Sequence, residues 1–299
     1  VAKIEELLVA LGPNKEAPLE LLYFNIGLGN LLAEKATEAE AGFKEYLKRF
    51  PKGEYASRSF LGIGRANITL ATPESKERAI EALKLAAQDP KFRSEAGLWL
   101  GQVYTDLGRR EEALAVFKSL MGSDIRSPQQ TTAAVEVIGL LADTGKLEDL
   151  ILYLDRLSNQ AGIRDAIAWF ANQVIVRGDE LIGSQAYEAA LALYRSVPPR
   201  SQIIDIQKTA LLGQRRDLKI LEARVEAEKN KPLGQRSSAS ELVGSLKPAI
   251  ELAEKALAAV EEKTDLDAAL IMRRGRSLYY LDRTEEALVC FRAIRNKHA

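Results

Sequence analysis

The stretch LWLGQVYTDLGRREEALAVFKSL, residues 98–120, decides the fold class. Its apolar residues recur at helical spacing on both sides of a break at Leu107-Gly108, so it reads as two amphipathic helices joined by a tight turn. Small residues fall where the helices would cross, Gly101 on the first and Ala113 on the second. Tyr104 and Phe117 are the bulky residues that would fill the space between neighbouring pairs. A large residue at either small position is expected to splay the pair.

The frame recurs along the chain. Upstream it is carried by Tyr23, Ile26, Gly27, Ala39, Phe43, Tyr46 and Pro51, with Glu34 in place of the turn glycine. A second unit has Phe60, Ile63 and Gly64, then Ala79 and Leu83 after a three-residue insertion containing Pro73, and it closes at Asp89-Pro90. Gly145 falls 37 residues after Gly108, with Leu150 and Leu154 at the small and aromatic places of a degenerate fourth unit. A fifth uses Gly178, Leu181, Tyr187, Ala190 and Tyr194 and ends at Pro198-Pro199. The last runs through Gly275, Leu278, Ala287 and Phe291, preceded by the helix-like AIELAEKALAAVEE.

Leu-Gly, an aromatic three residues on, a turn glycine, a small alanine and an aromatic form a pattern that resembles the tetratricopeptide repeat, TPR. The resemblance covers roughly residues 15–200 and 249–297. It implies an all-α fold, a right-handed superhelical solenoid of antiparallel helix pairs. Arg177 and Arg274 depart from it, standing where the family has Leu. Phe50-Pro51, Gly53, Tyr55-Ala56 and Gly64 together resemble a junction of the envelope TPR proteins of Gram-negative bacteria, of the outer-membrane assembly lipoprotein and Tol-Pal coordinating types. That junction points to a periplasmic or envelope setting rather than the cytoplasm, although Pro and small residues also serve simply to stop one helix and start the next.

Three regions follow: residues 1–200 with about five repeat units, 201–248 with a long helix and a polar loop, and 249–299 with C-terminal TPR-like helices. Residues 201–229 contain no proline, and KPLGQRSSAS at 231–240 reads as a solvated loop. Ile204, Leu211, Leu218 and Val225 repeat every seven residues, but Gln207, Gln214 and Glu228 occupy most of the companion row. Half a seam favours packing within the chain over dimerisation.

Composition removes whole classes of chemistry. The 299 residues carry 42 Lys plus Arg against 42 Asp plus Glu, with a hydrophobic share of 46% and an aromatic share of 6%, which suits helices and supplies no field for a polyanion. No nucleic-acid partner is expected. A single histidine, His298, and a single cysteine, Cys290, cannot build a His-based catalytic triad, a His-rich zinc site or a multi-cysteine cluster. No apolar run reaches the roughly 20 residues of a spanning helix. Beginning at Val1 and stopping within a helix-like run, the chain reads as a piece of a longer protein.

GLGN at 27–30 and GIGR at 62–65 begin like dinucleotide loops, but both lie inside amphipathic runs with no preceding strand, so they read as helix-packing glycines. Asp106, Asp143 and Asp179 sit near the ends of first helices, and their repetition suits solvated turns or a graded binding surface better than a catalytic pair. Trp99 and Trp169 read as packing residues, and Cys290 as a buried inert thiol. Arg215-Arg216 and Arg273-Arg274-Arg276 with Arg283 read as solvated faces or as carboxylate clamps. No metal or cofactor is expected.

The TPR resemblance implies that the first helix of each pair lines a ligand-binding face, at the second, fifth, ninth and twelfth positions of each repeat. Carried onto this chain, these include Phe24 and its neighbours Leu21, Leu28 and Leu31; Arg58, Leu61, Arg65 and Ile68; Glu95, Leu98, Gln102 and Thr105. They continue with Thr132, Val135, Gly139 and Ala142; Asn172, Ile175, Asp179 and Ile182; and Ala269, Met272, Arg276 and Tyr279. The Lys and Asn set with which TPR co-chaperones hold a terminal carboxylate is absent. An apolar row with a few mixed charges suits an extended or helical segment of a protein partner. The expectation is therefore a non-enzymatic scaffold for protein partners. The alternatives are that residues 201–229 fill the face, or that the chain is the repeat portion of a larger enzyme or accessory subunit.

Overall fold

The computed structural model describes residues 16–121, 128–230 and 237–298. These residues form helices and no strand, so the all-α expectation holds. Contacts divide the chain into two compact units, residues 1–120 and 121–299.

The first unit contains α1 (Glu16–Leu32), α2 (Ala36–Arg49), α3 (Ala56–Leu70), α4 (Pro73–Ala86), α5 (Arg93–Asp106) and α6 (Arg110–Met121). Each helix from α1 to α4 packs on the next, and α1, α3 and α5 also adjoin in order. That is the contact pattern of sequential antiparallel pairs, consistent with a helical repeat. Its aromatic core holds Tyr23, Phe24, Phe43 and Tyr46, with Ile63 and Ala82 from the next pair.

The second unit contains α7 (Pro128–Asp143), α8 (Leu147–Ser158), the short α9 (Ala161–Asp165), α10 (Ile167–Gly183), α11 (Tyr187–Ser196), α12 (Arg200–Ala227), α13 (Ala239–Glu262), α14 (Leu266–Tyr280) and α15 (Thr284–His298). The side chain of His298 lies outside the described residues. The pairs α7/α8 and α10/α11 lie side by side, and α14/α15 packs against α11. Between them α12 and α13 form a hairpin whose ends are drawn together by Arg200. Its backbone N–H donates to Asp267 at 2.8 Å, and its guanidinium donates to the carbonyls of Val260 and Glu261 at 3.0 and 2.5 Å.

One turn recurs in both units. Glu34, Ala71, Gly108, Gly145, Gln185 and Asp282 all have left-handed backbone, with φ between 57° and 72°. The first four stand 37 residues apart, and in every case the next helix opens two residues later. The N–H groups of Lys35, Arg109, Ala186 and Arg283 reach back five residues to Asn30, Tyr104, Leu181 and Leu278 at 2.8–2.9 Å, the closure of a Schellman motif. This satisfies helix-end carbonyls and offsets the roughly 1–2 kcal/mol that left-handed backbone costs a residue with a Cβ. At Ala71 the following N–H, that of Thr72, instead bonds Ser75 in a capping box that opens α4 with Pro73. The three inserted residues thus lie in the opening of α4, ahead of Ala79.

Gly27 and Gly62 lie on opposite sides of the Phe43 ring, where a Cβ on either would overlap it. Gly101 with Phe117, Gly178 with Tyr194 and Gly275 with Phe291 repeat that ring-on-glycine contact at the same 16-residue separation as Gly27 with Phe43. The glycines of GLGN and GIGR thus belong to helices, as their sequence context indicated. Gly53 has a separate reason. The Tyr46 hydroxyl donates to Glu20 at 2.5 Å and accepts from the Tyr55 N–H at 3.0 Å, leaving no room for a Cβ at the turn before α3.

The long helix α12 packs on α13. Leu211, with Ile204 and Leu218 beside it, meets Leu246, Ile250, Ala253 and Leu257. Three of the four residues of the heptad row are therefore covered within the chain. The solvated loop read at 231–240 is shorter than its sequence suggested, since Ala239 already opens α13, which runs on through Pro248. Residues 231–236 lie outside the described residues.

Candidate binding faces of the first helices

In the first unit the expected face is carried by α1, α3 and α5. Phe24 is only 2% exposed and Leu61 5%, so both belong to the core. The Phe24 ring stacks on Tyr55 at 4.8 Å. The Arg58 guanidinium lies over Phe24 at 5.3 Å, and that of Arg65 over Trp99 at 6.0 Å. Both arginines are exposed, and neither side chain has an ion pair among the described residues. An aromatic face holds a guanidinium by its plane and leaves its N–H donors outward, ready for a carboxylate. Leu98 is half-buried beside them. Gln102 donates to Asp106 at 2.9 Å, and the Thr105 hydroxyl is spent on the Gly101 carbonyl at 3.0 Å.

In the second unit the face is a groove between α10, α13 and α14. A cavity of about 470 Å3 is walled by Trp169, Asn172 and Ile175 of α10, by Leu252, Ala256 and Ala259 of α13, and by Ala269 of α14. It continues into one of about 370 Å3 lined by Asp179, Ile182, Met272 and Arg276, the two sharing Ala269 and Arg273. The inward positions Asn172, Ile175, Asp179 and Ile182 thus meet Ala269, Met272 and Arg276 in one place. Tyr279 stands apart, 59% exposed, beside Tyr280.

Asp179 is firmly held. Arg273 grips it with two hydrogen bonds of 2.8 and 2.9 Å, and Tyr194 donates to it at 2.7 Å. Burial alone would raise its carboxyl, but these donors outweigh burial and keep it below the usual range. At the rim Lys255, Lys263 and Arg276 have no ion pair among the described residues, and the groove is mainly apolar between them. Such a surface can bury apolar side chains and pair with acidic ones. Arg273 lay within a basic run visible in the sequence, but its tie to Asp179, 94 residues away, needed the fold.

The other acids near first-helix ends are likewise engaged. Asp143 pairs with Arg177 at 2.8 Å, and Asp106 lies 3.6 Å from Lys76. The two arginines that break the repeat pattern have uses: Arg177 ties α7 to α10, and Arg274 donates to the carbonyls of Tyr194 and Val197 at the end of α11. Arg215 pairs with Glu254 across the hairpin, Arg216 with Asp217, and Arg283 with Glu286. Cys290 is half-buried against the Leu278 cluster. Among the described residues no helix is long and apolar enough to cross a membrane, and no group of His, Cys, Asp and Glu side chains could hold a metal ion. No protein-family model matches the chain, and no curated protein is significantly similar to it.

Proposed function

We propose that the chain is a non-enzymatic TPR-like scaffold that binds segments of protein partners on the faces of its first helices, within a bacterial envelope assembly. The observation that carries this reading is the convergence of seven inward positions from α10 and α14 on one apolar groove with unpaired cations at its rim. The aromatic-backed Arg58 and Arg65 supply a second such surface in the first unit. Preformed helices bind with little reordering, so apolar pockets set affinity and the flanking Arg58, Arg65, Gln102, Asp179 or Arg276 set selectivity. The envelope setting rests on the Phe50–Gly64 junction, of which Gly53 and Tyr55 also have the structural reason given above.

Affinity capture from separated soluble and envelope extracts tests it, comparing the native chain with two variants: Arg58→Glu with Arg65→Glu, and Met272→Asp with Arg276→Glu. All four positions are exposed, so helicity should persist while a specific partner is lost. Identical captures from all three chains would remove both faces from the reading.

The rival is the repeat portion of an enzyme, and it has one observation in its favour. Burial raises the carboxyls of Glu136 and Asp165, in the first case against the pull of Arg177 and in the second against Arg164. Raised acids are what acid–base chemistry uses. Substrate turnover abolished by Glu136→Gln or Asp165→Asn would establish that rival in place of the scaffold.

A further inference from the structure

The groove between α10, α13 and α14 also has a sign of charge. We propose that it takes an acidic amphipathic segment of a partner protein, with apolar side chains in its two cavities and carboxylates on Lys255, Lys263 and Arg276, a partner class that presupposes the groove as the binding face described above.

The room for apolar side chains comes from small residues on every wall. Ala168 and Ala171 of α10, Ala256 and Ala259 of α13 and Ala269 of α14 all line the first cavity. Leu252 in its wall and Met272 in the wall of the second are each 42% exposed. Covering such surface is worth about 25 cal/mol per Å2 to a ligand. The inserted hairpin supplies one of the walls, so the shape belongs to this chain rather than to a regular helix-pair stack.

The charges choose among apolar ligands. The two linings hold four cations, Lys255, Lys263, Arg273 and Arg276, against two carboxylates, Asp179 and Asp265. Arg273 and Asp179 bond each other at 2.8 and 2.9 Å and cancel. Three cations then face one carboxylate, an excess of two positive charges. On the same hairpin, three cations outside the linings are neutralised across it, Lys208 by Glu261, Arg215 by Glu254 and Lys247 by Glu222, at 2.6–2.7 Å. Lys255 and Lys263 have no such partner among the described residues. A basic segment would be repelled, and a nucleic acid would bring its phosphates to an apolar floor with few cations. A segment alternating apolar and acidic side chains satisfies both the cavities and the rim.

With Trp99→Phe, Trp169 becomes the only tryptophan, and its fluorescence reads the first cavity in the full chain. The probes are the blocked peptide (Leu-Glu-Glu-Leu)3, its counterparts with Gln or Lys in place of Glu, and an oligothymidylate. The Glu peptide should give a saturable change about tenfold tighter than the Gln peptide, the size of three exposed ion pairs together, and the Lys peptide should be weakest. Added salt should weaken the Glu peptide alone. Lys255→Glu with Lys263→Glu turns the excess from two positive charges to two negative ones, so the Lys peptide should become the tightest. Both positions are exposed, and unchanged circular dichroism shows that the fold is kept. Ala259→Phe, which fills the first cavity, should weaken all three peptides. Equal binding of the three peptides, lost in Ala259→Phe, would overturn the acidic partner while leaving the groove as a binding face. Absence of saturable binding, or binding indifferent to Ala259→Phe, would remove the face itself. Oligothymidylate binding tighter than the Glu peptide, or self-association of the chain that the double reversal abolishes, would also overturn the proposal, in favour of a nucleic acid or a second copy.

Discussion

Gly27 and Gly29 lie two residues apart in α1, and replacing each with alanine separates packing from helix propensity. In a helix interior alanine is favoured over glycine by up to about 1 kcal/mol. A Cβ on Gly29 meets nothing within 4 Å, so Gly29→Ala should stabilise by about 0.5–1 kcal/mol. A Cβ on Gly27 would lie 2.5 Å from Cδ1 and 2.8 Å from Cε1 of Phe43, about 1 Å inside ordinary carbon contact. The ring has little room to retreat, because it is 1% exposed and Gly62 lies against its other edge. Overpacking of this kind costs about 1–3 kcal/mol. The propensity gain cancels between the two variants, so they should differ by the packing cost alone.

Hydrogen exchange of amides in α1 to α3 reads the effect locally, which suits a chain whose parts open separately. A loss of about 1–2 kcal/mol speeds exchange roughly 5–30-fold in Gly27→Ala, whereas Gly29→Ala slows it. Equal protection in the two variants would refute the close-approach account, and with it the same account of Gly101, Gly178 and Gly275.

Three further outcomes follow from the second unit. Asp179 has a folded pKa below its unfolded one, so its contribution to stability is complete above the unfolded pKa of about 3.9 and fades as pH falls through the lower folded value. Asp179→Asn should therefore be less stable than the native chain at neutral pH, and acid titration should bring the two together; a gap independent of pH would contradict the Arg273 pairing. Glu136 has the opposite sign, its folded pKa being raised by burial. Glu136→Gln should stabilise at neutral pH, with the gain vanishing as pH falls toward the ordinary glutamate value, and a constant gain would show that charge burial is not the cause. Arg274→Leu restores the residue the repeat pattern has there yet strips the Tyr194 and Val197 carbonyls of their donors. Chemical denaturation should show a loss of about 1–3 kcal/mol, and a gain would mean the pattern residue was the better fit.

The helix pairs were legible because their signals are local: apolar spacing, a small residue at each crossing, a turn residue between. Even so the turn at Ala71 was hidden, since alanine carries no turn signature and only the backbone reveals that it repeats Glu34 and Gly108. Loop-like composition at 237–240 concealed the start of α13, and Pro248 reads as a boundary although the helix runs through it. At the candidate faces the positions implied by the resemblance on α10 and α14 line adjoining cavities. The resemblance could not tell Phe24 and Leu61, which neighbouring side chains cover, from Arg58 and Arg65, which they leave open, because cover is supplied by residues distant in the chain. The Asp179–Arg273 grip, spanning 94 residues, is of the same kind.

The hairpin α12/α13 shows what keeps a helical array together when its chain is interrupted. Neighbours in a repeat stack are normally neighbours in sequence, so chain continuity does much of the bringing together. Here the pair after α11 starts at Leu266, and the closure entropy of the intervening segment rises only slowly with its length. That makes a long insertion thermodynamically tolerable provided the two ends are pinned and the interface is specified by side chains. Arg200 pins the ends, and Arg274 and Arg273 specify the interface by bonding the terminal carbonyls of α11 and the carboxylate of Asp179. Directional bonds of this sort fix register where a leucine would only fix proximity. Arg274, which departs from the repeat pattern, is thus one of the residues that seat α14 on α11, and Arg273 closes the same side of the groove between α10 and α14 by holding Asp179.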